Sequence, residues 1–174
     1  MATATNEYLT DVRRRIERVE VQAQRGTTDA KLRMQRYVDT LRREEEAARA
    51  SAREQAAAVD ERLEQLENEL ELAEHRMAAE FAATQREFAD AIEAGLERWD
   101  AFLDRLQAKA AARSGAAREQ AEAAIADLRA RRLSIDTSLS DVLAATGNRW
   151  RDARARVLGE LDDLKRHADA ARPN

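Results

Sequence analysis

The chain has 174 residues, of which 37% are charged and 4% aromatic; its formal net charge is −4 and it contains no cysteine. Without cysteine, disulfides and thiolate metal sites are excluded. The acidic balance disfavours a dedicated nucleic-acid-binding protein, which would present an undiluted basic face. Alanine, glutamate and arginine dominate while large apolar residues are sparse, a balance typical of long helices that carry a narrow apolar stripe.

Proline is absent from residues 1–172, and only five glycines occur in the whole chain. Because an interior proline costs a helix about 3 kcal/mol, a long stretch without proline favours uninterrupted helices. The sequence therefore predicts an all-α fold of long amphipathic helices, arranged as an antiparallel, coiled-coil-like three-helix bundle that is able to oligomerise.

The first helix is predicted at about residues 5–49. Its apolar residues Val12, Ile16, Val19 and Ala23 follow one another in steps of four and three, the spacing of a coiled coil. Ser51 and Glu54 match a capping box, a motif that starts helices, and so indicate a reversal near Ser51. The signal for a helix break at Gly26 is weaker, because one glycine costs a helix only about 1 kcal/mol.

The second helix is predicted at about residues 51–113. Its apolar residues recur every 11 residues, a hendecad that gives a straight or slightly right-handed stripe. These residues, together with one tryptophan of the third segment, form a predicted interaction seam: Met77, Phe81, Phe88, Ile92, Trp99, Phe102, Leu103, Leu106 and Trp150. Ser114 and Gly115 supply the second reversal.

The third helix is predicted at about residues 116–171, with a candidate break near 134–140. Charge supports the folding back of the chain: residues 54–104 are strongly acidic, whereas 11–53 and 105–174 each have a net charge of +4. Two reversals would place the acidic segment beside both basic ones. We therefore expect a single elongated helical domain over residues 1–174.

No constellation of residues predicts catalysis. Histidines occur only at His75 and His167, without the spacing of a metal-binding helix, and phosphate loops and nucleophile elbows are absent. The prediction is a non-enzymatic protein with no catalytic, cofactor-binding or metal site. The N-terminus lacks the features of a signal peptide, and no apolar run is long enough to span a bilayer. A cytoplasmic protein is expected, and the alanine and arginine bias points to a bacterial source.

The hendecad rhythm and the alanine-rich helices resemble exchangeable apolipoproteins and bacterial granule-coat phasins, over about residues 60–130 and in periodicity alone. That resemblance implies the alternative function, a peripheral coat on a lipid droplet or polymer granule. The acidic bias of residues 77–106 argues against binding to anionic lipid. The leading hypothesis is a structural or scaffolding bundle that mediates protein–protein interaction, with a second copy of itself or a helical partner.

Overall fold

A computed structural model describes the backbone of residues 2–54 and 56–171 and the side chains of residues 7–50 and 62–171. Over this part of the chain the fold is all-α, with six helices and no strand. The helices are α1 Ala2–Ala23, α2 Thr28–Glu54, α3 Ala56–Phe81, α4 Gln85–Ala111, α5 Gly115–Ala144 and α6 Asn148–Ala171.

The prediction of three long helices is wrong in its bounds, because each of the three is divided into two. The first divides at Gly26 and Thr27, where the Thr27 hydroxyl accepts a hydrogen bond from the Ala30 backbone N–H at 3.3 Å. The second divides at Thr84, which caps α4. The third divides at Gly147, whose φ of 57° is left-handed and suits glycine.

Two details of the predicted turns are also corrected. Ser51 lies within α2 and not before a helix, so it is not an N-cap, and the side chains of Ser51 and Glu54 lie outside the described residues. The candidate break at 134–140 is helical throughout, inside α5. The predicted turn at Ser114 and Gly115 does separate α4 from α5, with Gly115 at a φ of 58°.

Residues 1–81 form one compact unit and residues 82–174 another. The prediction of one domain over the whole chain stays a prediction. In the first unit, α1 and α3 run parallel, because Tyr8 bonds to Glu67 and Arg15 to Glu74. The helix between them, α2, runs the opposite way, since Arg33 near its start meets Glu80 near the end of α3.

Helix directions also alternate in the second unit. Asp100 and Asp104 of α4 pair with Arg132 and Arg129 of α5, so the numbering rises along one helix as it falls along the other. Ser138 of α5 bonds to Glu160 of α6 and Asp141 pairs with Arg156, so α5 and α6 are antiparallel in the same way. In each unit, acidic residues of the segment 54–104 thus lie opposite basic residues of the neighbouring helices.

The buried residues follow the helical periodicity. The core of the first unit consists of Leu9, Val12, Ile16, Val19, Ala23, Met34, Val38, Leu41, Ala48, Leu66, Leu70, Ala73 and Met77. In the second unit, the buried large side chains include Phe88, Ile92, Leu96, Trp99, Leu103, Ile125, Leu128, Ile135, Leu139, Val142, Val157, Leu161 and Leu164.

Candidate interaction surfaces

Most of the predicted interaction seam lies inside the protein. Its members Met77, Phe88, Ile92, Trp99 and Leu103 are buried. The seam is not continuous, because the end of α3 and the capped start of α4 assign Met77 and Phe81 to the first unit and the remaining residues to the second. The buried members therefore contribute to packing within the folded chain.

The other seam residues are partly or largely accessible. Phe102, Leu106 and Trp150 are half-buried, while 42% of Phe81 is exposed. The Phe81 ring lies over the turn between α1 and α2, since a Cβ placed on Gly26 would come within 3.0 Å of the Phe81 Cζ atom. Phe81 thus covers a turn and does not fill a core.

Two seam residues join an aromatic cluster with an arginine. The rings of Phe88 and Trp150 meet edge to face with centroids 5.3 Å apart, a favourable geometry for aromatic pairs. The Arg154 guanidinium lies 5.6 Å from both ring centroids and donates to the Ala82 carbonyl at 3.2 Å. This cluster attaches the start of α6 to the start of α4.

A polar cluster holds α1 against α3. Arg15 donates two hydrogen bonds to the Glu74 carboxylate, at 3.1 and 2.9 Å, and a further one to Glu67. Tyr8 donates to the other Glu67 oxygen at 2.6 Å. Tyr8–Glu67 and Arg15–Glu74 share one sequence separation of 59 residues, and Arg15 also reaches back to Glu67, at a separation of 52 residues.

This environment alters the ionisation of its members. Partial burial and the hydrogen bond to Glu67 raise the pKa of Tyr8, because both disfavour a phenolate. The bonds to Glu74 raise the pKa of Arg15, so its charge is permanent. The hydrogen bonds of this cluster thus join α1 to α3.

The outer face of α5 lies on the side of the helix away from the core and, unlike the polar cluster between α1 and α3, has no charged member. Its members are all exposed and uncharged, and they recur in steps of three and four: Ala123, Ala126, Ala130, Leu133, Thr137, Ser140 and Ala144. Its two hydroxyls bond to carbonyls of their own helix, Thr137 to Leu133 and Ser140 to Asp136, each at 3.3 Å. Both hydroxyl hydrogens are thus used within the helix, and the face carries no charge along its length.

The exposed faces of the other helices are charged. On α4 the exposed residues include Arg86, Asp90, Glu93 and Glu97, and α1, α2 and α6 likewise present arginines and carboxylates. A Leu on such a face, such as Leu32 of α2, stands alone among charges. Among the described residues, the outer face of α5 is the extended helical surface without charge.

Sequence reasoning missed this face. The sequence-based prediction places a candidate helix break near 134–140, within this face, and no interaction surface there. The available signal was a second repeat with coiled-coil spacing, from Ala123 to Ala144, offset from the core positions Ile125, Leu128 and Ile135. A helix with two such repeats is apolar on opposite sides.

Comparisons with family models, curated proteins and solved structures find no match to this chain. Among the described helices, none is both long and apolar enough to cross a bilayer. Within the same residues, no group of three or more histidines and carboxylates is placed to hold a metal ion. The exposed surfaces of the described helices are therefore the candidate functional sites.

Proposed function

We propose that this protein is a non-enzymatic structural or scaffolding helical protein that mediates protein–protein interaction through the outer face of α5. The observation that carries the proposal is the contrast between this face and all others. Within residues 7–50 and 62–171 the helix cores are packed and the other exposed faces are charged, so the uncharged, regularly spaced face is the surface suited to a helical partner.

The spacing supports a helix as the partner. Residues that recur at three and four positions form one stripe on a helix, and such a stripe is matched by a second stripe of the same period. The small side chains of Ala126 and Ala130 let a partner backbone approach closely, while Leu133, 62% exposed, offers a larger apolar contact.

Burial of the interaction seam argues against the alternative function, a coat on a lipid droplet or polymer granule. A granule or droplet coat requires apolar residues that can reach a surface, whereas Phe88, Ile92 and Trp99 lie in the interior. Their release would require unfolding of the second unit. The scaffold is therefore the proposal that we prefer.

A capture experiment with the full-length chain tests the proposal. Tagged wild-type protein is compared with Leu133→Glu and with Leu32→Glu, which places the same charge at a leucine 64% exposed on another helix. We expect proteins captured from a native lysate, an untagged copy of the chain included, to be lost with Leu133→Glu and retained with Leu32→Glu. An identical captured set for all three proteins would contradict the proposal.

A further inference from the structure

We infer that the outer face of α5 binds the same face of a second copy of this chain, with the two α5 helices antiparallel and Ala130 opposite Leu133 of the second copy. This inference rests on the proposed function, because it names the occupant of the surface described there. The charged residues that flank the face support this inference, since in this alignment they place opposite charges of the two copies side by side.

The flanking residues are fixed by the helix geometry. Relative to the outer face, Glu122, Arg129, Asp136 and Leu143 lie along one edge, the edge that continues toward α4 through the Arg129–Asp104 ion pair. Asp127, Ser134 and Asp141 lie along the other edge. In an antiparallel helix pair, each edge meets the identical edge of the partner, whereas in a parallel pair opposite edges meet.

With Ala130 opposite Leu133, the flanking charges are compatible. Arg129 of each copy lies opposite Asp136 of the other, and Asp127 lies opposite Ser134. Within the chain Arg129 pairs with Asp104 and Asp136 with Arg132, yet the two side chains remain 50% and 44% exposed, so each keeps accessible surface for a second partner across the interface. The twofold axis doubles every contact, as expected for an isologous dimer.

Other alignments bring like charges together. A shift by one heptad in one direction places Asp136 opposite itself and Asp127 opposite Asp141. A shift in the other direction places Arg129 opposite itself. A parallel pair places Glu122 beside Asp127 and Asp136 beside Asp141. Like charges across a helix interface disfavour pairing, so the pattern selects the central antiparallel alignment.

The contact is one helix pair over residues 123–144, roughly 33 Å at 1.5 Å per residue. An interface of this kind falls at the small end of specific interfaces, so a reversible dimer is expected. Sedimentation equilibrium of the wild-type chain should show concentration-dependent dimerisation. Leu133→Glu should weaken the dimer about tenfold or more, while Leu32→Glu should leave the dissociation constant unchanged.

Disulfide trapping tests the alignment itself, since the native chain has no cysteine. In the inferred dimer Ala126 lies opposite Thr137, whereas Ala126 of one copy is about 16 Å along the axis from Ala126 of the other. Mixed Ala126→Cys and Thr137→Cys proteins should cross-link to each other, and neither should cross-link to itself. Self-cross-linking of each would indicate a parallel pair and overturn the inference.

The outcomes separate this inference from the proposed function. A wild-type chain that is monomeric at every concentration overturns the dimer, and so does an equal loss of dimer with Leu133→Glu and Leu32→Glu. If the wild type is monomeric but still captures another protein through Leu133, the inference fails and the proposed function stands. If that capture is also absent, both fail.

Discussion

Phe81 and Phe88 belong to the same hendecad stripe, yet their environments differ. Phe88 is fully buried against Trp150, whereas 42% of Phe81 is exposed over the turn at Gly26. Replacement of Phe88 by alanine removes a buried ring and leaves a cavity, a change that costs about 3–5 kcal/mol. For Phe81→Ala a cost of about 1 kcal/mol is expected, near the centre of the range for point mutations.

Urea unfolding of both variants, followed by circular dichroism, measures this difference in the free energy of unfolding. The two substitutions remove the same atoms, so each serves as the control for the other. Equal losses would mean that the hendecad stripe is one uniform core and that the break at Thr84 has no energetic consequence.

At Tyr8, the raised pKa makes stability depend on pH in the alkaline range. Below about pH 10 the phenol is protonated in both folded and unfolded chains, and its stabilising contribution is fully present. Above that pH the unfolded chain loses the proton first, so the free energy of unfolding falls as the pH rises toward the folded-state pKa. Tyr8→Phe should show a shallower alkaline decline.

Tyrosinate absorbance gives a direct measurement of this shift. The chain has two tyrosines, so in Tyr37→Phe protein the signal comes from Tyr8 alone. We expect its titration well above the ordinary range near pH 10, with the normal value restored in denaturant. An ordinary titration in the folded protein would mean that Tyr8 is neither buried nor bonded to Glu67 as described.

Among the helix starts, Thr84 and Ser114 provide a matched comparison. The Thr84 hydroxyl accepts the Glu87 N–H at 3.1 Å, and the Glu87 carboxylate accepts the Thr84 N–H at 3.2 Å, which completes a capping box. Ser114 precedes α5 without a side-chain capping bond. Thr84→Ala should lower the free energy of unfolding by about 1 kcal/mol, and Ser114→Ala by less than about 0.5 kcal/mol.

Thermal and urea melts of these two variants measure the capping contribution. A Glu87→Gln variant refines the test, because glutamine retains an acceptor but removes the charge near the helix N-terminus. If Thr84→Ala were as mild as Ser114→Ala, the division between α3 and α4 would need a cause other than the capping box.

The helices show what sequence patterns could and could not establish. Proline absence and periodicity predicted the all-α class, and the turn at Ser114 was found. However, Thr84 and Glu87 have the same motif as Ser51 and Glu54, and the sequence-based prediction places a turn at the latter pair alone. The motif gives a helix start but does not decide whether a preceding helix continues through it, since that depends on tertiary packing.

Helix α5 illustrates the same limit for the candidate surface. Serines and threonines disfavour helix interiors because their side chains compete for backbone hydrogen bonds. In α5 the hydroxyls of Thr137 and Ser140 instead bond back to the preceding turn, so the helix continues and they join an exposed face. The stripe of core residues was predictable from spacing, whereas the exposure of the second stripe required the arrangement of its neighbours.

For the whole molecule, packing and charge together decide between a scaffold and a surface coat. Acidic α3 and α4 are joined to basic neighbours by ion pairs such as Arg15–Glu74 and Arg132–Asp100, the first of them in one unit and the second in the other. With these pairs formed and the stripe of Phe88, Ile92 and Trp99 buried in the interior, that stripe gains little when a neutral lipid surface is added. The free protein should therefore be fully helical and melt cooperatively.

Circular dichroism with and without a neutral oil emulsion tests this expectation, together with flotation of the emulsion. We expect unchanged helix content and no protein on the droplets, because the interior stripe of Phe88, Ile92 and Trp99 would have to leave its core to insert. Trp99→Ala is the informative variant. If the stripe is core, its loss lowers the melting temperature and does not affect flotation. If the stripe is a binding face, wild type would gain helix and float, and Trp99→Ala would reduce flotation while leaving the melting temperature nearly unchanged; that result would favour the coat over the scaffold.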